Sequence, residues 1–157
     1  MSGQANTHWS AQFVGIPYAA KGATLKGCDC WGLVVLASRL VFFRDIPLMH
    51  DEYVSPDEAA EIHAAIERRK PIDWLHMERP AEGDVALFRT GRFERHVGLC
   101  AGGSKMLHMP FESRSNGVQA NTSFAGVSRI EDVRSPRWAP RLVGFYRWQG
   151  PSNGGAT

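Results

Sequence analysis

Cysteine, charge of one sign and long apolar runs are all scarce in this 157-residue chain, and each scarcity removes a class of protein. There are three cysteines, at 28, 30 and 100, an odd number that argues against a disulfide framework. Cys28 and Cys30 flank a single residue, a spacing that strains a bridge, so all three read as thiols. Eighteen Lys and Arg against sixteen Asp and Glu leave a formal net charge of +2, too little to argue for a nucleic acid or an anionic membrane as partner. No apolar stretch reaches bilayer-spanning length, and Met1 to Ser10 lacks the basic start and apolar run of a secretory signal. The expectation is cytoplasmic synthesis without membrane insertion. Residues 1–150 have the length and composition of one domain with a real core, and 151–157 read as a flexible tail.

What is present begins at Gly27-Cys28-Asp29-Cys30-Trp31-Gly32-Leu33-Val34, where a loop gives way to the most apolar helical pattern in the chain. Leu33, Val34, Ala37, Leu40 and Val41 recur at helical spacing, which predicts a buried helix from about Asp29 to about Phe43 with Cys30 in its first turn. Open backbone N–H groups and the positive end of the helix dipole favour a thiolate there. Asp29 is suited to cap the same helix. A second segment, Arg95 to Met109, reads as two strands around a Gly-Gly turn and carries His96 and His108. A three-residue loop at Ala101–Gly103 pairs the two histidines directly; a two-residue loop at Gly102–Gly103 sends them to opposite faces. Their chemistry therefore depends on hairpin register.

Asp29-Cys30-Trp31-Gly32-Leu33-Val34, Gly83-Asp84-Val85-Ala86-Leu87-Phe88, His96-Val97-Gly98-Leu99 and His108, in this order and spacing, resemble the NlpC/P60 cysteine peptidases. These are papain-like hydrolases that cut the peptide stems of bacterial cell walls. The resemblance runs from about Phe13 to about Trp148, weakly between Arg44 and Arg79. It implies an α+β papain-like fold with an N-terminal nucleophile helix packed on an antiparallel β-sheet. It also implies Cys30 as nucleophile, His96 as base and then acid, His108 as the group that orients the imidazole, and Tyr18 beside the reacting carbonyl. Asp29, Trp31 and Arg114 are the residues expected to meet substrate. The implied cut lies next to γ-D-glutamyl in a stem peptide, with no cofactor and no metal.

Trp31 stands where many cell-wall members have serine, and Ala19-Ala20-Lys21-Gly22 replaces the usual tryptophan and paired glycines. Asp29–Val34, Gly15-Ile16-Pro17-Tyr18 and the closing Gly144-Phe145-Tyr146-Arg147 also look like the branch encoded with phage and prophage tail genes. That setting implies other tail proteins as partners, and action at the wall or periplasm after delivery on a virion. The rival reading is a tail-tip structural protein with little or no peptidase activity; another is an acyltransferase or amidase on the same scaffold.

The rest of the chain is less specific. Zinc held by Cys28, Cys30, His96 and His108 is a poor alternative, because Cys-x-Cys is not the usual knuckle spacing. Ser55-Pro56-Asp57-Glu58 signals a helix start and Ala59–Lys70 an amphipathic helix. Pro110–Val127 reads as a long loop, Arg129–Val133 as a strand and Leu142–Trp148 as a closing core strand. The arginines interleaved with aromatics from Arg134 to Trp148 invite a nucleic-acid reading that no recognised motif supports.

Overall fold

Asp29 starts the helix that the sheet packs on. Its side chain accepts the Gly32 N–H at 2.7 Å, satisfying one of the first-turn donors, and the helix α1 runs from Cys30 to Phe42. Phe43, in the left-handed region at φ 55°, ends it. The computed structural model describes residues 7–48, 64, 66–67, 73–90, 93–110 and 126–150, with the side chains of 93–95 excepted. Of the helix expected after Ser55 only residues 64 and 66–67 are described, and they are helical, while Arg114 with the loop around it and the 151–157 tail lie outside the described residues.

Before α1 come a short 3₁₀ turn, Trp9–Phe13, and a two-stranded ribbon of β1 (Ala23–Thr24) and β2 (Gly27–Cys28). After it the chain builds β3 (Trp74–Met77), β4 (Val85–Thr90), β5 (Phe93–Gly102), β6 (Lys105–His108), β7 (Arg129–Asp132) and β8 (Leu142–Trp148). These form one antiparallel sheet in the order β3-β8-β4-β5-β6-β7. The expected α+β architecture is thus present, the Cys30 helix packed against an antiparallel sheet. The meander β4-β5-β6-β7 follows chain order, whereas β8 lies inside the sheet between β3 and β4. The strand β3, in the region of weak resemblance, has no counterpart in the sequence reading.

Strand alternation divides the sheet residues between two clusters. Val85, Leu87, Val97, Leu99 and Leu107 join Leu33, Val34 and Ala37 of α1 in the larger core. Each fully buried aliphatic side chain there contributes roughly 1.5–3 kcal/mol of transfer free energy. Ala86, Phe88, Cys100 and Met106 gather instead around Trp138 in a smaller cluster. Leu40, expected on the buried stripe of α1, is about half exposed at 51%, because the inward face is completed by Ala37 and Ser38 one turn earlier.

The arginines and aromatics of the C-terminal segment pack with their own fold. Arg147 makes a bidentate pair with the buried Asp84 at 2.8 and 2.9 Å, tying β8 to the turn that launches β4. Arg137 and Arg141 lie over the Trp138 ring at 5.1 and 6.0 Å. Among the described residues no helix is long and apolar enough to cross a membrane.

Candidate active site

The first half of the site is the start of α1 and the loop folded onto it. Asp29 is the clamp: its Oδ1 takes the Gly32 N–H, its Oδ2 takes the Lys21 N–H at 2.9 Å, and its own N–H donates to the Gly22 carbonyl at 3.1 Å. Gly32 is required by that closeness, since a Cβ there would stand 1.7 Å from the Gly22 oxygen. The Cys28 N–H donates to the Pro17 carbonyl at 3.1 Å, and Tyr18 bridges Cys28 in parallel register. Half-buried Tyr18 is thereby fixed beside the strand that leads into Cys30.

The three thiols sit in different surroundings. Cys28 and Cys100 are buried, while Cys30 is partly exposed at the helix start. Burial pushes the Cys28 thiol up to about 11, with the Asp29 charge adding to the shift, and the thiol donates to the Thr24 carbonyl at 3.0 Å. Burial, with Asp84 nearby, pushes Cys100 up to about 12. Both are therefore inert thiols at neutral pH.

The second half is built by register. Gly98 on β5 stands opposite His108 on β6, Leu99 opposite Leu107 and Cys100 opposite Met106, after which Ala101 bulges and Gly102 pairs with Lys105. The turn residues are therefore Gly103 and Ser104, and the bulged Ala101 keeps an odd count between Cys100 and Met106. His96 and His108 share a face, as the odd-loop alternative requires, but lie diagonally, two positions apart, rather than directly opposite. Imidazoles span that diagonal: His96 Nε2 and His108 Nδ1 are 2.9 Å apart. Gly98 leaves the room, because a Cβ there would come within 2.8 Å of Met106 Sδ and 3.2 Å of His108 Cβ.

Both rings are buried, at 1% and 0% exposure, and Trp138 covers them. Its indole stacks on His96 at 4.9 Å and 20° and meets His108 edge-on at 5.0 Å. On its other side His108 bonds through Nε2 to Glu131 Oε2, and Glu131 also accepts from Arg129 Nε at 3.3 Å. Burial drives the His108 pKa down to about 4; Glu131 opposes the shift, and Arg129 and Arg137 add to it. Burial pushes the Glu131 carboxyl up, but the His108 ring and Arg129 outweigh it and hold that pKa below its ordinary value.

The helix α1 packs on β5 and β6, the strands that bear His96 and His108. Two expected substrate contacts fall elsewhere. Trp31 follows Cys30 by about 100° around the helix and points into the core. There its indole N–H reaches the Pro47 carbonyl at 2.9 Å and its ring meets Trp74 at 6.2 Å. Asp29 is 1% exposed with both oxygens on backbone N–H groups, which makes it a cap rather than a substrate contact. Arg114 lies outside the described residues. Sequence reasoning missed Glu131 and Trp138. Glu131 was within reach, since pairing the expected Arg129–Val133 strand with the His108 strand brings it to the histidine face. Trp138 lies in a stretch without periodicity. Among the described residues no group of three or more His, Cys, Asp or Glu could hold a metal ion.

A sequence model of the NlpC/P60 family matches residues 15–147. The murein DD-endopeptidase MepS/murein LD-carboxypeptidase of Escherichia coli K12 is 32% identical over 131 residues, covering 83% of this chain and 55% of that protein. The chain thus spans about half the length of the curated relatives it matches. Among solved structures, the NlpC/p60 domain of the peptidoglycan hydrolase SagA aligns over 93% of this chain and 97% of its own, with TM-score 0.54 and 17% identity. An NLP/P60 family protein similar to a lipoprotein, from Staphylococcus aureus Mu50, aligns over 91% and 40%, with TM-score 0.58 and 18% identity. At these identities the structural likeness speaks for the fold.

Proposed function

The chain belongs to the NlpC/P60 family, and from that premise we propose that it is a cysteine peptidase hydrolysing peptide bonds in the stems of bacterial peptidoglycan. The observation that carries the proposal is the division of the His96 ring: Nε2 is committed to His108 at 2.9 Å, so Nδ1 is the nitrogen offered to a reacting thiol. In the proposed reaction Nδ1 takes the Cys30 proton and the sulfur attacks the carbonyl carbon, moving an electron pair onto oxygen. The Cys30 backbone N–H, at the open end of α1, and Tyr18 hold that oxyanion. Collapse breaks the C–N bond while His96 returns the proton to the leaving amine. Water then gives a proton to His96, its oxygen attacks the thioester, and the C–S bond breaks to release the acid and restore the thiol.

Two bonds compete as the target. The family resemblance favours the bond next to γ-D-glutamyl. The 32% identical E. coli protein is named a DD-endopeptidase and LD-carboxypeptidase, which favours a bond ending in a D-residue. The phage-tail setting is a finer part of the proposal and rests on the Gly15–Tyr18, Asp29–Val34 and Gly144–Arg147 motifs. Finding the chain by mass spectrometry in purified tail particles from a strain that encodes it would support that setting; finding it only outside them would remove it.

Digestion of purified peptidoglycan and its soluble muropeptides with wild type and Cys30→Ala, read by mass spectrometry, tests the activity. Wild type is expected to cut stem peptides, the product masses naming the bond, and Cys30→Ala to lose at least about a thousandfold in rate with its fold intact. If neither protein cuts under reducing conditions, the peptidase reading fails and the tail-structural one takes its place.

A further inference from the structure

We infer that Glu131 is a fourth, positioning member of the site, which fixes the direction of the hydrogen bonds through His108 and so delivers His96 with Nδ1 free of its proton. The inference rests on the peptidase reading for its functional consequence and on geometry for its substance. His96, His108 and Glu131 lie on three adjacent strands, β5, β6 and β7, on one face of the sheet. The register puts Gly98 and Arg129 opposite His108 and Glu131 opposite Met106, so the three side chains form one diagonal line across the strands. Two contacts join them: His96 Nε2 with His108 Nδ1 at 2.9 Å, and His108 Nε2 with Glu131 Oε2.

A pair of neutral imidazoles sharing one hydrogen bond has no preferred direction, because either ring can donate. A carboxylate at one end removes the ambiguity, since it only accepts. Glu131 therefore requires the proton of His108 on Nε2. That leaves His108 Nδ1 bare, able only to accept, so His96 must carry its proton on Nε2. The bare nitrogen of neutral His96 is then Nδ1. The charged and titratable groups facing His108 are Glu131 and Arg129 from β7, His96 from β5, and Arg137 from the segment beside Trp138. Its burial and its depressed pKa keep His108 neutral at pH 7, as the relay requires. Glu131 bonds directly to His108 Nε2, and it is through that ring that it acts.

The test uses the full chain labelled with ¹⁵N-histidine, in a Cys30→Ala background that keeps His96 neutral, with the tautomers read by long-range ¹H–¹⁵N correlation at pH 7. The expected spectrum has both His108 and His96 protonated on Nε2. In Glu131→Gln, whose amide can also donate, His108 is expected to shift toward the Nδ1–H form. With Cys30 restored, Glu131→Gln is expected to lower kcat on muropeptides at least about tenfold at nearly unchanged KM. Glu131→Leu, which removes both donor and acceptor, should lower it at least as far if it folds. His108 protonated on Nδ1 without the substitution, tautomers unmoved by Glu131→Gln, or an unchanged kcat would each overturn the inference. The tautomer reading needs no substrate, so a wild type inactive on peptidoglycan would defeat the peptidase reading while leaving the relay decided by the spectra.

Discussion

The two halves of the site are held in contrasting ways. The half proposed to carry the nucleophile is local: one buried carboxylate, Asp29, gathers backbone N–H groups from residues 21 and 32, and a glycine lets the loop touch the helix. The half proposed to carry the base is assembled from side chains that are far apart in sequence, His96, His108, Glu131 and Trp138, brought together by sheet register. A local motif survives as a recognisable string of residues, whereas a registered one depends on a bulge and a turn that shift every pairing at once. The nucleophile half should thus fail by losing a cap, and the base half by taking up a proton.

The larger of these failures is expected on the acid side. The folded His108 titrates near 4 and the unfolded one near 6.5, so between those values the unfolded chain binds the extra proton. Stability is therefore expected to fall as pH drops from about 6.5 to about 4, by about 3 kcal/mol in all. Denaturation midpoints measured across that range check this, and His108→Gln should flatten the slope. At the other end Cys28 and Cys100, raised in the folded state, contribute stability that is lost as pH rises above about 9 toward 11 and 12. If the acid slope is unchanged in His108→Gln, the base half does not owe its fragility to that ring.

A smaller effect is expected from the nucleophile half. Asp29→Ala removes the cap of α1 and leaves the Lys21 and Gly32 N–H groups without their acceptor, at a cost of about 2 kcal/mol. The same denaturation experiment measures it, and Asp29→Asn, which keeps one acceptor, should lose less. A loss shared equally by both variants would mean that charge, not capping, is what Asp29 supplies.

The same contrast explains what the sequence made legible. Cys30 at a helix start, Asp29 as a cap and the strands that carry the histidines are readable because each rests on residues a few positions apart. Which side chains face a substrate is harder to read from the sequence. Trp31 neighbours Cys30 in the chain, yet helical rotation turns it into the core beside Trp74. The sequence admits two hairpin registers; the bulge at Ala101 and the turn at Gly103–Ser104 produce a third, of the same parity as the three-residue loop. Leu142–Trp148 reads as a core strand, but nothing within seven residues says that it inserts between β3 and β4. Glu131 and Trp138 acquire meaning only after β6 and β7 are paired and the C-terminal segment is folded over them.

The measurement that bears most directly on the union of the two halves is the alkylation rate of each cysteine in the native protein, mapped by mass spectrometry, with and without His96→Ala. Cys30 is expected to react with iodoacetamide at neutral pH much faster than an ordinary thiol and to slow markedly in His96→Ala, while Cys28 and Cys100 react only after unfolding. A Cys30 that reacts no faster than a free thiol, and is indifferent to His96→Ala, would mean that the helix and the sheet carry two unrelated features and no common active site.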